Sequence, residues 1–193
     1  MQLSSSRRRA AACLFGIFAT TAFACGGDDA PPGVDATPAF TVAFDVDGTL
    51  AEATYFDFPF PSDLRLTADG KLDLVGFPNR RNIPVVTGLI DSAATHVGAP
   101  VSPITFFRFT QPTPAYTVDD MQADVLPASV DAPAWILDID PDSPERGTLY
   151  PSMAVSFAPD AFAPANLVAV ATRPGVVLLP DTTYAVVLTP AFA

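Results

Sequence analysis

From residue 40 onward the apolar residues come in short runs, each bounded by proline, glycine or aspartate. The runs cover 40–46, 104–109, 135–139, 153–157, 167–171, 176–179 and 184–188. They alternate with polar residues or are filled with β-branched and aromatic side chains, the pattern of half-buried or sandwiched strands. No stretch sustains a 3.6-residue repeat for long. The best helical segment is 85–97, where Leu89, Ile90, Ala93 and Ala94 suggest a turn or two, and short helices are expected around 119–123. Phe56, Phe58 and Phe60 alternate through a segment punctuated by Pro59 and Pro61. In an extended chain such alternation puts three rings on one face, read here as core packing in preference to an exposed aromatic platform. The pattern predicts a mainly β fold, an immunoglobulin-like β-sandwich. Residues 39–126 form its N-terminal β-rich region with short helices, and 127–193 form its latter half, the break falling at the prolines of 127–133. The two parts are equally readable as one continuous domain.

The first 38 residues follow a different pattern. Arg7, Arg8 and Arg9 precede an apolar run over 10–24, too short to span a bilayer comfortably. A basic start followed by such a run is the plan of a signal peptide, assigned to residues 1–24. The run ends in Ala22-Phe23-Ala24-Cys25, and the next residues are rich in Gly, Asp, Ala and Pro, so 25–38 reads as a flexible tether.

Composition supports the strand reading. Hydrophobic residues make up 49% of the chain and aromatics 10%, enough for a packed core. The 21 prolines and 11 glycines are too many for a helical protein. The formal net charge is -11. The leader holds three of the ten basic residues and no acidic one, so 25–193 carries seven basic against 21 acidic residues, a formal -14. Such a surface repels phosphate backbones and anionic headgroups, which excludes nucleic acid as a partner and leaves no electrostatic route to a membrane.

The residues before Cys25 resemble the bacterial lipobox, in which small residues precede a cysteine that is lipidated and becomes the mature N-terminus. Ala22 stands where that motif usually has leucine. The resemblance implies a lipid anchor on Cys25, and Gly26 after the cysteine implies the outer membrane or cell surface of a Gram-negative bacterium. The alternative is an ordinary secretory signal cleaved after Ala24, with Cys25 a free thiol. Cys13 lies in the leader, so Cys25 has no disulfide partner in the mature chain.

Two further resemblances concern the exported part. Leu178-Leu179-Pro180-Asp181-Thr182-Thr183-Tyr184 followed by Ala185-Val186-Val187-Leu188 resembles the closing strands of SbsA-type bacterial immunoglobulin-like domains of surface proteins. It implies a tyrosine at a strand entrance whose hydroxyl reaches backbone, in the manner of a tyrosine corner. Phe58-Pro59-Phe60-Pro61-Ser62-Asp63-Leu64 is similar to the N-terminal region of lipoprotein lipases and related large Gram-negative surface lipoproteins. In those relatives an enzymatic or repeat domain follows, which implies an accessory role beside a surface lipase as a second function.

Three chemistries have local support. Phe44-Asp45-Val46-Asp47-Gly48-Thr49-Leu50 matches the first motif of haloacid-dehalogenase-like phosphatases, in which Asp45 would attack phosphorus and Asp47 would protonate the leaving group beside Mg²⁺. Thr87 and the pair Asp138 and Asp140 would complete such a site. The only lysine, Lys71, precedes Thr87 and so stands in the wrong order, and the helices of a doubly wound sheet are missing. The competing reading is a strand ending in an Asp47-Gly48 turn. No Gly-x-Ser-x-Gly elbow accompanies the single histidine, His96, which reads as a bystander. Asp138, Asp140 and Asp142 place carboxylates at every second residue, hard oxygens of the type Ca²⁺ accepts, although Pro141 and Pro144 interrupt the loop and no EF-hand glycine is present. No Cys/His cluster suits zinc. The expected function is a lipid-anchored, non-catalytic binding or scaffold module outside the cytoplasm, acting in adhesion or in presenting a partner domain. Its partner would be a protein or a glycan, and it needs no cofactor unless the aspartates bind Ca²⁺.

Overall fold

A computed structural model of the chain describes residues 40–192. The leader 1–24, Cys25 and the tether 25–38 lie outside the described residues. Among the described residues one α-helix, α1, spans Pro84–Ala93, and six strands follow. These are β1 (Ile104–Arg108), β2 (Ala134–Asp138), β3 (Leu149–Tyr150), β4 (Ser152–Ser156), β5 (Leu167–Thr172) and β6 (Tyr184–Leu188). They form two three-stranded sheets in the orders β1-β5-β4 and β3-β2-β6, and every pairing in them is antiparallel. The fold is mainly β with little helix, as the apolar pattern predicts.

Burial follows strand position. In β1, Thr105 and Phe107 are buried while Ile104 is exposed; in β2, Ala134, Ile136 and Asp138 are buried. This period of two is the mark of a strand with one face inward. The central strand β5 buries Leu167, Val168, Ala169 and Val170 in succession, because it has neighbours on both edges and cover on both faces. Phe107, Phe109, Ala154, Val168 and Val170 from the first sheet and its flank meet Ala134 of the second sheet and Phe192 in one core cluster, with Val186 and Leu188 packed against it. Each fully buried valine of this kind contributes about 1.5–3 kcal/mol. The Ser152 hydroxyl crosses from β4 to β2, donating to the Ala134 carbonyl at 3.0 Å with the serine fully buried.

A second cluster holds Tyr55, Phe56, Phe60, Ala163 and Leu167. The rings of Phe56, Phe58 and Phe60 are buried, as the alternation implies, but they come off turns and a single bridge, with no continuous strand. The other departures have local causes. Residues 40–46 make only one bridge, Val42 with Phe109, because Asp45, Asp47 and Gly48 bend the chain away and leave Phe44 exposed. Residues 176–179 follow the Pro174-Gly175 turn as irregular chain, held by the Leu178 N–H donating to the Val101 carbonyl at 2.9 Å. Around 119–123 the Asp120 carboxylate accepts from the N–H groups of Gln122 and Ala123, so the segment closes as a turn and not a helix. The helix expected over 85–97 begins at Pro84 and ends at Ala93, four residues short of the expected end. It has no buried residue, so little tertiary packing extends it.

Candidate functional site

The two sheets leave a cleft of about 650 Å³ open between them. Its floor is made by Thr105 and Phe107 of β1, Ile136 of β2, and Tyr184 and Val186 of β6. Its walls are proline-rich connections, including Pro59, Pro61, Pro100 and Pro103, whose missing N–H groups suit an apolar surface. The volume lies in the range of ligand pockets. Five large apolar side chains on its lining stay open to solvent: Phe44, Val97, Val101, Ile139 and Leu179. Their exposures run from 37% for Leu179 to 73% for Val97. Phe44 is braced from beneath by the buried Phe58 ring, edge-on with centroids 4.8 Å apart. These side chains are gathered on one concave surface and not scattered singly.

The mouth of the cleft is tied down by polar contacts. Tyr184, the first residue of β6, accepts a hydrogen bond on its hydroxyl from the Leu179 N–H at 3.0 Å, the backbone contact expected of a tyrosine at this strand entrance. The Thr183 N–H donates to Oδ2 of Asp140 at 3.0 Å, which joins the exit of β2 to the entrance of β6. Backbone N–H groups of Asp142 and Thr183 hold the Asp140 carboxyl below the usual carboxylate range. Asp63 and Asp181 are the ionisable side chains of the lining apart from Tyr184, and no lysine, arginine or histidine joins them.

The edge of β6 is also open. Its register with β2 pairs Ala134 with Leu188 and Asp138 with Tyr184. Beyond the strand ends, the Ile139 N–H donates to the Thr183 carbonyl and the Thr189 N–H to the Pro133 carbonyl. Alternation in an antiparallel ladder then directs the N–H and C=O groups of Ala185 and Val187 toward β2 and those of Tyr184, Val186 and Leu188 away from it. Among the described residues nothing pairs with that outer edge.

The residues singled out for phosphatase chemistry serve separate local networks. Asp45 and Asp47 lie exposed in the bend, off any named strand. The Asp45 carboxylate folds over Gly48, so that a Cβ there would meet Oδ2 at 2.5 Å and the exposed aspartate side chain would have to swing aside. Thr87 sits in the first turn of α1, accepting from the Asn79 amide at 3.0 Å and donating to the Ile83 carbonyl. Lys71 pairs with Asp69 at 2.8 Å. The phosphatase motif needs a parallel strand to aim its aspartate, and every strand pairing among the described residues is antiparallel. His96 is exposed, its Nδ1 2.9 Å from the Ser92 carbonyl.

Asp138, Asp140 and Asp142 form successive local turns. Oδ1 of Asp138 accepts from the Asp140 N–H at 3.0 Å, and Oδ1 of Asp140 from the Asp142 N–H at 2.9 Å. The second oxygen of Asp138 takes the Ser143 hydroxyl. The alternating spacing seen in the sequence thus closes a turn. Among the described residues no group of three or more His, Cys, Asp or Glu side chains is placed to hold a metal ion.

Arg65 carries a role that the sequence did not announce. It is buried beneath Tyr55 and Phe60, its guanidinium 4.0 Å and 5.0 Å from their ring centroids. Nη1 donates to the carbonyls of Tyr55 at 2.9 Å and Phe58 at 3.4 Å. This cation pins the aromatic segment whose prolines wall the cleft. No protein-family model, curated protein or solved structure matches the chain.

Proposed function

We propose that this protein is a lipid-anchored binding module outside the cytoplasm, an immunoglobulin-like sandwich without catalytic function that captures a partner in the cleft between its sheets. The observation that carries the reading is the cleft itself, about 650 Å³ with five solvent-open apolar side chains on its lining. Burial of that surface by a partner is favourable at about 25 cal/mol per Å². The Ala22-Phe23-Ala24-Cys25 sequence supports an anchor on Cys25, and the proline- and glycine-rich tether supports a domain held off the outer membrane.

The test uses a photo-crosslinking amino acid placed at Val101, on the cleft, or at Val130, which is more open to solvent (64% against 42%) but not part of the cleft lining. In intact cells Val101 should give a discrete adduct with one partner and Val130 none. Adducts that are absent from Val101, or the same at both positions, would show that the cleft is not a binding surface. Cys25→Ala should move the protein from the detergent phase to the aqueous phase or stall its processing, and continued detergent dependence rules out the lipid anchor.

A further inference from the structure

We infer that the partner is an extended, apolar segment of another protein, bearing a lysine or arginine, which adds as a strand to the outer edge of β6. The inference rests on the cleft being a binding site and names what fills it.

The edges of the two sheets are treated differently. The outer edge of β1 is covered by backbone: Phe106 and Phe60 exchange hydrogen bonds of 2.6 and 3.2 Å, and the Ala43 N–H donates to the Arg108 carbonyl at 2.7 Å. At β4 the N–H of Leu126 and that of Ser152 each donate to the other residue's carbonyl, at 2.8 and 3.0 Å. Strand β3 is only two residues long. Strand β6 has five residues, none charged and none proline, so it lacks the devices that usually blunt an edge. The outward N–H and C=O groups recur at Tyr184, Val186 and Leu188, a spacing only an extended chain matches. The side chains of Tyr184 and Val186 line the cleft, so the strand that reads this edge also lays its alternate side chains over the apolar floor. Charge selects the occupant further. The lining offers Asp63 and Asp181 and no cation, which favours a basic residue in the incoming segment. The net charge of -11 disfavours a second copy of this chain in the same place.

The full-length protein is panned against a phage library of random extended peptides, and the enriched peptides are synthesised for calorimetry. Enrichment of alternating apolar sequences with a lysine or arginine is expected. Val186→Pro removes an outward donor without touching the ladder to β2 and should weaken those peptides about tenfold. N-methylation of alternate peptide amides should do the same with the protein unaltered, which separates the effect from misfolding of the variant. Asp181→Asn should lower affinity and flatten its salt dependence. Peptides lost on Leu179→Asp but indifferent to both Val186→Pro and N-methylation would leave the cleft as a binding site and overturn strand addition. No enriched peptide, or peptides insensitive to Leu179→Asp as well, overturns both. Sedimentation showing a dimer that Val186→Pro dissolves would make a second copy the occupant and overturn the assignment to another protein.

Discussion

Replacing Arg65 separates the work of its charge from the work of its volume. The side chain is 4% exposed, and its Nε and Nη2 are buried without a hydrogen-bond partner, as is the Tyr55 hydroxyl beside it. One short bond from a charged donor to the Tyr55 carbonyl contributes about 2 kcal/mol. A desolvated guanidinium over an aromatic face adds about 2 kcal/mol. Against this stands the cost of burying a cation whose other donors go unmet, taken as about 3 kcal/mol. Arg65→Ala loses both favourable contributions, recovers the burial cost, and leaves a cavity worth about 2 kcal/mol, for a net loss of about 3 kcal/mol. Arg65→Met fills the space and restores about 1 kcal/mol through sulfur–aromatic contact, so it should lie within about 1 kcal/mol of the wild type. Urea unfolding followed by fluorescence of Trp135, the only tryptophan and a residue of β2, reads the difference. The midpoint of the alanine variant should fall with an unchanged slope, and its Tm by about 9 °C. If methionine costs as much as alanine, the charge and not the volume holds the aromatic cluster, and the reasoning fails. An alanine variant as stable as the wild type defeats it in another way, by showing that the cluster does not need the side chain.

The pH behaviour follows from two sets of groups. Burial raises the phenols of Tyr55 and Tyr116 above the usual 10.0, so the folded state holds these protons more tightly than the unfolded chain. Their stabilisation is complete below pH about 10 and is lost as pH rises beyond it; in alkaline melting curves Tyr55→Phe should shrink that loss, and an unchanged loss would refute the assignment. Backbone N–H groups depress the carboxyls of Asp120, Asp140 and Asp160 below the usual 3.8, so their contribution is present above that value and fades as pH falls. Asp140→Ala should flatten the fall of the urea midpoint as pH drops below 3.8, and a parallel curve would show that the β2–β6 tie is irrelevant. Ser152→Ala strips the Ala134 carbonyl of the Ser152 hydroxyl and should cost about 1 kcal/mol in the same urea assay; a silent variant would mean the link between the sheets is dispensable.

The strands were legible where a run of residues carries its own reason to be buried. Tyr184–Leu188 matches the expected limits, and β5 extends one residue past its own because Leu167 through Val170 are apolar without a break. The tyrosine at the entrance of β6 was legible as well, since a Pro-containing turn brings its hydroxyl near the preceding backbone. The segment 40–46 has the same apolar character, yet its neighbour Phe109 lies more than 60 residues away and only one bridge forms between them. Such a pairing depends on distant chain, which periodicity does not encode. The aspartates of 138–142 show the reverse case. Their spacing is evident in the sequence, but spacing alone does not tell a carboxylate that closes a turn from one that awaits a cation. The cleft was not legible at all, because it comes from the order of strands in two sheets.

An uncovered apolar edge is also a route to aggregation, and the composition bears on how the chain tolerates one. The lining of the cleft holds no cation, so a second copy brought to β6 meets no opposite charge there, while the acidic excess of both chains repels over a Debye length of about 8 Å. A segment that overcomes this barrier must carry positive charge or belong to a less acidic protein. The same acidic excess therefore narrows what reaches the open edge of β6. Selectivity in this reading comes from two sources: the backbone spacing on β6 admits only an extended chain, and the acidic surroundings discriminate among such chains by charge.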